Sequence, residues 1–288
     1  MISPIRWYGG KFMMMEKLLR YFPPVEDYYS YLEPFGGSGN VLLNKPYKPI
    51  EIYNDLDKNL SAFMEVMTDD ILCDEFMRRA DLHSIWSEDW ANRCKAKLKD
   101  DNLPLLDRAL AFFYINRTHR AGGNGGLGIN LQVRRNMSKS VSDLLSALDR
   151  LPEFHARWST VLVLCRDALE LIKKYDRVGW LYYLDPPYVP SARKSDSKYT
   201  VDVDDGFHVK LIQALLEIKH ARVLISGYDH PIYDDLVKNG WIHDQFTVKT
   251  VDSQNEKRET VETVWRNYEK TTSFQLNLFE WDRVGETQ

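Results

Sequence analysis

The sequence lacks the features that mark a membrane protein, a disulfide-stabilised protein or a zinc protein. No apolar run approaches the roughly 20 residues that cross a bilayer, and the first residues do not have the form of a signal peptide. The cysteines Cys73, Cys94 and Cys165 form no Cys-x-x-Cys pair, which indicates reduced thiols. With 288 residues, of which 44% are hydrophobic, the chain can form a substantial core. We therefore expect a cytoplasmic protein with no membrane partner and no metal.

Acidic residues are absent from one stretch of the chain, although the whole protein has a formal net charge of −4. No Asp or Glu occurs between Asp107 and Asp143. The basic residues of this stretch include Arg108, Arg117, Arg120, Arg134, Arg135 and Lys139. A local basic window is typical of phosphate binding, and a solvated basic face gives the same pattern.

Strand-like and helical patterns alternate in both the first and the last part of the chain. The predicted strands are 28–33, 49–54, 161–165, 180–184, 222–226, 246–251 and 260–268, and the helices that separate most of the later ones are 168–175, 207–219 and 231–238. The stretch from about 60 to 151 is helical and shows no clear buried strand. The alternation predicts a mostly parallel α/β sheet, and the break predicts a helical insertion within it.

Residues 185–188, Asp-Pro-Pro-Tyr, follow the predicted strand at 180–184 and offer three chemical groups at one strand end. Asp185 can accept a hydrogen bond from an exocyclic amine, and the prolines leave carbonyls without a competing N–H of their own. Tyr188 offers a flat face for a base taken out of its helix. These groups suit methyl transfer to an aromatic amine, although an ordinary strand-ending turn can have the same composition.

A glycine-rich turn at 36–39 follows the first predicted strand, and Asp55 ends the second. Glycines let the backbone approach a ligand closely, and an acid at the next strand end is placed to accept from ribose hydroxyls. The glycine spacing of this turn is not Gly-x-Gly-x-x-Gly, and no Gly-Lys-Ser/Thr is present, which disfavours a nicotinamide or a nucleoside triphosphate. The glycine-rich turn, Asp55 and the Asp-Pro-Pro-Tyr tetrad at 185–188 together favour an adenosine-containing cofactor.

Six segments, in order along the chain, resemble the motifs of the Dam-like (alpha-group) DNA adenine-N6 methyltransferases. They are 6–11 (Arg-Trp-Tyr-Gly-Gly-Lys), 33–39 (Glu-Pro-Phe-Gly-Gly-Ser-Gly), 54–55 (Asn-Asp), 116–117 (Asn-Arg), 185–188 (Asp-Pro-Pro-Tyr) and 224–226 (Leu-Ile-Ser). The resemblance implies a class I S-adenosylmethionine-dependent methyltransferase fold, which is Rossmann-like with a mostly parallel seven-stranded sheet. It also implies a catalytic domain at 1–59 and 152–270, an inserted helical target-recognition domain at 60–151, and a monomer.

The resemblance further implies S-adenosylmethionine as the methyl donor, S-adenosylhomocysteine as the product, and no metal. The implied cofactor residues are Trp7, Tyr8, Lys11, Glu33, Pro34, Phe35, Gly36, Gly39, Asp55, Asp167 and Asp185. Lys11 would meet the carboxylate of the cofactor. Asp167 would accept from its adenine amine, or would serve only as a helix N-cap.

The implied reaction is direct methyl transfer to the N6 amine of an adenine that has swung out of duplex DNA. Asp185 and the carbonyl of Pro186 would accept hydrogen bonds from the amine, and Tyr188 would stack on the base. The chain lacks the Pro-Cys nucleophile of C5-cytosine enzymes, and Asp in place of Ser favours adenine over N4-cytosine. Two alternatives stay open, an RNA adenine-N6 methyltransferase and a non-catalytic DNA-binding module of the same fold.

The implied DNA-binding residues lie mostly in the basic window. They are Asn116, Arg117, Arg120, Asn124, Arg134, Arg135 and Lys198. After residues 116–117 the chain departs from the usual continuation of the family, so that GATC specificity does not carry over. Lys198 belongs to a polar, basic loop at 191–199, which we expect to close over the flipped nucleotide.

The tail at 271–288 contains a second, shorter resemblance. Residues 275–279, Gln-Leu-Asn-Leu-Phe, resemble the bacterial sliding-clamp-binding peptide, in which Leu and Phe fill an apolar groove. The implied clamp-binding residues are Gln275, Leu276, Leu278 and Phe279. The alternative is a terminal segment that packs its apolar side on its own domain.

Overall fold

The computed structural model describes residues 5–7, 11–82, 86–123, 125–189, 203–251 and 257–269. Within these ranges the chain forms one seven-stranded sheet and a small two-stranded hairpin. The strands of the sheet are β1 (Ser30–Glu33), β2 (Ile50–Asn54), β5 (Leu162–Leu164), β6 (Trp180–Leu184), β7 (Arg222–Gly227), β8 (Ile242–Val251) and β9 (Lys257–Arg266). The hairpin consists of β3 (Val133–Arg134) and β4 (Met137–Ser138).

The strand order of the sheet, β5-β2-β1-β6-β7-β9-β8, identifies where a ligand can bind. The first five strands in this order are parallel, and β9 pairs antiparallel with both β7 and β8. The chain runs outward from β1 through β2 to β5 and then returns to β6 on the other side of β1. Ligands of open α/β sheets bind at such a reversal, beyond the carboxyl ends of the strands. The topology therefore points to the ends of β1 and β6.

The central strands are covered on both faces, and their composition explains why. β6 reads Trp-Leu-Tyr-Tyr-Leu, and all five residues are buried. Leu181 and Tyr183 belong to the core cluster on one face of the sheet, whereas Tyr182 and Leu184 belong to the cluster on the other. A parallel strand between two layers of helices needs apolar side chains at successive positions rather than at alternate ones.

The helices fall into two groups along the chain. Those that follow or precede the sheet strands are α1 (Met15–Leu19), α2 (Asn40–Asn44), α9 (Ala168–Lys174), α10 (Asp205–Leu216) and α11 (Asp234–Lys238). Those between β2 and β5 are α3 (Lys58–Val66), α4 (Asp70–Leu82), α5 (Glu88–Lys97), α6 (Leu105–Thr118), α7 (Lys139–Leu148) and α8 (Leu151–Trp158). Hairpin β3–β4 lies between α6 and α7, so the basic window belongs to the second group.

The inserted helices share a core with the sheet. Phe63 of α3 stacks on Phe113 of α6 and on Phe154 of α8, with ring centroids 5.6 and 5.9 Å apart. At the end of α8, Trp158 meets the ring of Tyr53 on β2 edge-on, at 5.2 Å. These aromatic contacts connect the insertion directly to β2, the strand against which the glycine-rich turn packs.

A buried ion cluster also fixes α8 to β2. The carboxylate of Glu51 is 1% exposed, forms an ion pair with Lys45, and accepts from both terminal nitrogens of Arg157 at 2.6 and 3.0 Å. Arg157 donates in addition to the carbonyl of Leu42 at 2.8 Å. Loss of Glu51 would leave two positive charges in the interior without a negative partner, which is strongly destabilising.

The predicted elements are confirmed, with shifts at their ends, and one element was missed. The largest shift is in β8, which begins at Ile242 rather than at residue 246. Hairpin β3–β4 was not predicted, because its strands have two residues each and are largely exposed, so that burial imposes no pattern on them. Its turn residues Arg135 and Asn136 have φ of 53° and 57°, as a type I′ turn requires.

The predicted domain boundary at 59/60 falls inside α3, and the division into domains remains a prediction. Across the described ranges, no helix is both long and apolar enough to span a bilayer.

Candidate active site

A cleft opens at the carboxyl ends of β1, β2 and β6, where the strand order reverses. Most of the predicted cofactor residues line it: Trp7, Lys11, Glu33, Pro34, Phe35, Gly36, Asp55, Asp167 and Asp185. Pro186 and Pro187 of the tetrad line it as well. Sequence reasoning missed other lining residues, including Phe207, whose ring meets Phe35 edge-on at 6.0 Å. Segments distant in sequence are thus brought together around one cleft.

The glycine-rich turn after β1 is held tightly against β2. Gly36 N–H donates to the carbonyl of Asn54 at 2.8 Å, and the Tyr53 hydroxyl donates to the carbonyl of Gly37 at 2.6 Å. A Cβ at Gly36 would lie 2.1 Å from the Tyr53 ring, and one at Gly39, where φ is 65°, would lie 2.8 Å from the Trp158 ring. The turn therefore needs glycine at both positions, and it exposes backbone to the cleft.

Asp55 joins the glycine-rich turn to the start of α3. Its Oδ2 accepts from Gly37 N–H and its Oδ1 from Asp57 N–H, both at 2.9 Å. Burial raises the pKa of Asp55 to about 6, although these backbone hydrogen bonds oppose the rise. A hydroxyl group that donated to this carboxylate would favour its ionised form. A carboxylate at a strand end beside exposed glycine backbone fits the ribose of an adenosine-containing cofactor.

Asn54 is a structural residue of the cleft for which the sequence predicted no role in the site. Its Nδ2 donates to the carbonyls of Pro34 and Arg166 at 2.9 and 3.0 Å, and its Oδ1 accepts from Arg166 N–H at 2.9 Å. One amide therefore ties the ends of β1, β2 and β5 together. The signal was present in the sequence, because Asn54 directly precedes Asp55 in a motif.

Asp167 and Glu33 line the cleft and also have structural partners. Asp167 Oδ1 accepts from Leu169 and Glu170 N–H at 2.7 and 3.4 Å. Asp167 therefore caps helix α9, which was the alternative role predicted for it. Glu33 is 2% exposed and accepts from the Tyr31 hydroxyl at 2.9 Å. Burial raises the pKa of Glu33 to about 8.

The Asp185 carboxylate, at the end of β6, is paired with Lys11. The Lys11 ammonium lies 2.8 Å from Asp185 Oδ1, 2.9 Å from Glu262 Oε1 on β9 and 2.9 Å from the Tyr188 hydroxyl. Burial alone would lower the pKa of Lys11, but the neighbouring carboxylates raise it well above its ordinary value. Burial raises the pKa of Asp185, and Lys11 opposes that rise. Lys11 was predicted to meet the carboxylate of the cofactor. In this structure its ammonium is paired with Asp185, the proposed acceptor of the target amine.

Tyr188 is stacked against a second tyrosine at the end of the neighbouring strand. The rings of Tyr188 and Tyr228 are 4.2 Å apart with an interplanar angle of 23°. Lys11 Nζ lies 5.0 Å from the centroid of the Tyr188 ring. The sequence did not indicate Tyr228 or Glu262 as site residues. Tyr228 directly follows strand β7, and Glu262 lies within β9. Only the order of the strands brings them next to the tetrad.

Asn116 corrects a prediction, because the structure places it in the interior rather than on a DNA-facing surface. Its side chain is 0% exposed. Its Oδ1 accepts from Arg6 N–H at 2.8 Å, and its Nδ2 donates to the carbonyls of Arg6 and Gly122 at 2.7 and 3.2 Å. Asn116 therefore fixes the N-terminal segment that carries Trp7 and Lys11 to the end of α6.

Asp143 on α7 is surrounded by Arg6 and by three basic residues of the window, Arg117, Arg134 and Lys139. Its carboxylate lies 3.3 Å from Arg6, 3.2 Å from Arg134 and 2.7 Å from Lys139, and its carbonyl accepts from Arg117 at 3.0 Å. The predicted residues Arg120, Arg134 and Arg135 are exposed. Burial first, and then the nearby Arg6, lower the pKa of Arg117 to about 10.

Several predicted site residues lie outside the described ranges. They are Tyr8, Asn124, Lys198, Gln275, Leu276, Leu278 and Phe279. Among the residues inside those ranges, no group of three or more His, Cys, Asp and Glu side chains is arranged to hold a metal ion.

Known proteins resemble this chain over most of its length. The DNA adenine methylase of Serratia marcescens is 26% identical over 80% of this chain and 85% of its own. Those of Haemophilus influenzae and Escherichia coli are 24% and 23% identical, covering 89% and 92% of this chain and 90% and 94% of their own.

The family description that matches residues 7–258 is "D12 class N6 adenine-specific DNA methyltransferase". This range contains the glycine-rich turn, the basic window and the tetrad, and it confirms the fold class and the activity that the motifs implied. The chain belongs to the D12 class of N6 adenine-specific DNA methyltransferases.

Proposed function

We propose that the cleft binds S-adenosylmethionine and that the tetrad presents the N6 amine of a flipped adenine from duplex DNA to it. The observation that carries the proposal is the placement of Asp185, the predicted amine acceptor, in the wall of the cleft that also contains the glycine-rich turn and Asp55. S-adenosylmethionine supplies the methyl group when it is bound.

The residues that would hold the cofactor follow from the chemistry of the cleft wall. Asp55 would accept from the ribose hydroxyls, because its carboxylate is already oriented by Gly37 and Asp57. The backbone of the glycine-rich turn would lie against the nucleoside, where no side chain intervenes. Trp7 lines the same cleft and would border the methionine end. Since Asp167 Oδ1 caps α9, its other oxygen would accept from the adenine amine of the cofactor.

The amine of the target adenine would be held by Asp185 and by the Pro186 carbonyl. Hydrogen bonds to these acceptors draw the nitrogen lone pair out of conjugation with the ring and orient it toward the methyl carbon. Holding the two reactants in line supplies a large part of the rate enhancement. Asp185 would also stabilise the positive charge that develops on the nitrogen as the methyl group arrives. The electron pair of the broken S–C bond would stay on S-adenosylhomocysteine, and the methylated nitrogen would release its extra proton to solvent.

Entry of the base requires the side chains of the site to rearrange. Lys11 occupies one oxygen of Asp185, and Tyr228 covers one face of Tyr188. Tyr188 would stack on the adenine, with Tyr228 displaced from the ring face that the base takes. Unstacking a base from the duplex costs roughly a few kcal/mol, which these contacts would offset.

The DNA itself would be bound by the exposed arginines of the basic window. Arg134 and Arg135 lie at the tip of hairpin β3–β4, and Arg120 is exposed at the end of α6. Contacts with phosphates position a duplex, whereas arginine contacts with guanine edges specify its sequence. We also propose that Gln275, Leu276, Leu278 and Phe279 bind the sliding clamp, which would raise the local concentration of the enzyme on newly replicated DNA.

The test is substitution of Asp185 by Ala, with the exposed Asp235→Asn as a matched control. Asp185→Ala should keep its affinity for duplex DNA and lose methyl transfer, measured with labelled S-adenosylmethionine. The control should retain both. Normal turnover by Asp185→Ala would overturn the assignment, and S-adenosylmethionine that failed to bind the wild-type protein would overturn the cofactor site.

A further inference from the structure

A buried carboxylate next to the tetrad has no place in the reaction as described so far. Glu262 lies on β9 and is 1% exposed. Its Oε1 is 2.9 Å from the Lys11 ammonium. Both oxygens are buried, and neither has a hydrogen-bond partner of standard geometry among the residues that the structure describes, so Oε1 meets Lys11 as an ion pair. Most buried polar side-chain atoms in native proteins are hydrogen-bonded, so a buried carboxylate without such partners calls for an explanation.

The surroundings of Glu262 make its negative charge unfavourable. Burial raises the pKa of this carboxyl, Lys11 opposes the rise, and the charge of Asp185 adds to it. An apolar side chain of similar size would avoid that cost. The position therefore retains a charge that the fold does not need.

Lys11 connects this carboxylate to the reaction. An ammonium group has three N–H donors, and Lys11 has three oxygens within 2.8 to 2.9 Å, from Asp185, Glu262 and the Tyr188 hydroxyl. One positive charge thus faces two carboxyl groups in an enclosed site, and the cluster has a net charge of −1 when both are ionised. With Lys11 and Asp185 alone, the net charge would be zero.

We propose that Glu262 is a positioning residue that balances the charge of Lys11, so that Asp185 keeps its negative charge for the amine and for the cationic methyl donor. This inference rests on the proposed function of the cleft. Lys11 orients Asp185 and Tyr188 through hydrogen bonds, and Glu262 takes up the charge that Lys11 brings. The positive charge leaves the sulfonium and develops on the adenine nitrogen that Asp185 holds, so a net charge of −1 at this acceptor stabilises the transition state more than the bound cofactor.

The substitution Glu262→Gln separates charge from shape. The amide has nearly the same size as the carboxylate, and its oxygen can still accept from Lys11. Lys11 would then be balanced by Asp185 alone, and Asp185 would become a weaker acceptor. The matched control is Glu259→Gln, an exposed position on the same strand. Glu262→Asp keeps the charge and serves as the conservative variant.

The first measurement is binding, which needs neither DNA nor turnover. S-adenosylmethionine carries a sulfonium charge, and S-adenosylhomocysteine carries a neutral thioether at the same atom. Calorimetric titration should show that Glu262→Gln weakens the binding of S-adenosylmethionine by about 5- to 10-fold relative to that of S-adenosylhomocysteine. Glu259→Gln and Glu262→Asp should keep the wild-type ratio of the two dissociation constants. A purely structural role would weaken both ligands together.

The second measurement is steady-state methylation of a duplex substrate. Glu262→Gln should lower kcat by about 10- to 100-fold with little change in KM for DNA, and Glu262→Asp should recover most of the loss. Wild-type kcat in Glu262→Gln, or an unchanged ratio of ligand affinities, would overturn the inference. If Glu262→Gln does not fold, wild-type behaviour of Lys11→Met, which leaves two carboxylates without a cation, overturns it as well. Wild-type protein that bound neither ligand would instead refute the proposed cofactor cleft.

Discussion

Asp55 provides the sharpest prediction, because one carboxylate both shapes the glycine-rich turn and faces the proposed ribose. Its pKa is raised to about 6 by burial, so it titrates in an accessible range. In the proposed complex, ribose hydroxyls would donate hydrogen bonds to the ionised carboxylate and would lower its pKa. Affinity for S-adenosylmethionine should therefore be complete well above pH 6 and should fall as the pH drops through 6.

The size of the effect follows from proton linkage. If only the ionised form binds, the dissociation constant rises about tenfold for each pH unit below the pKa of the free protein. With a pKa of about 6, affinity should fall roughly 10-fold between pH 7 and pH 5. Calorimetric titration of S-adenosylmethionine at half-unit steps of pH measures this directly.

Substitution of Asp55 by Asn removes the titrating group and nearly preserves its shape. The amide nitrogen cannot accept, so either Gly37 N–H or Asp57 N–H loses its partner, at a cost of about 1–3 kcal/mol. Binding at pH 7.5 should weaken by about 10-fold or more and should become flat between pH 5 and 7.5. The exposed Asp235→Asn should follow the wild-type curve. An Asp55→Asn protein with the wild-type pH slope, or a flat wild-type curve, would show that Asp55 is not the group that titrates.

Three further predictions concern the basic window, the tail and the buried ion cluster. Arg134→Ala should weaken DNA binding for all sequences alike and reduce the slope of log K against log salt by about 1, as one phosphate contact requires; an unchanged slope would exclude that contact. Deletion of residues 272–288 should abolish binding to the sliding clamp while activity on short duplexes persists, and clamp binding that survived the deletion would exclude the tail. Glu51→Gln should lower the free energy of unfolding by about 3–5 kcal/mol, since Lys45 and Arg157 would share a buried neutral partner; chemical denaturation that showed less than 1 kcal/mol would contradict the buried cluster.

The cleft shows how far a linear sequence can identify a site. The glycine-rich turn, Asp55 and Asp185 were recognisable because each follows a strand-like run, and the carboxyl ends of parallel strands share one edge of a sheet. Glu262 and Tyr228 gave no such signal. Glu262 lies within β9, and Tyr228 directly follows β7. Nothing in the adjacent sequence distinguishes a charged residue that serves the reaction from one that the fold merely tolerates.

The basic window shows the opposite limit. Its composition correctly marked the stretch that carries the exposed arginines of hairpin β3–β4. It also included Asn116, which is buried and holds the backbone of Arg6. Sequence separation of 110 residues conceals that contact. Asp143, the first acidic residue after the window, forms ion pairs with Arg6, Arg134 and Lys139. The acid that ends the basic stretch in the sequence therefore lies among its basic side chains in the fold.

The sequence by itself determined the class of fold, the activity and the helical stretch between β2 and β5, because these depend on ordered motifs and on local patterns of burial, glycine and charge. Tertiary structure alone decided which groups face one another at the site. The strand order places β9 two strands from β6 and brings Glu262 to Lys11, and the N-terminal segment, held by Asn116, brings Lys11 to Asp185. The physical reason is that interactions between charges depend on distance and burial in space, and a chain that returns on itself can make neighbours of residues far apart in sequence.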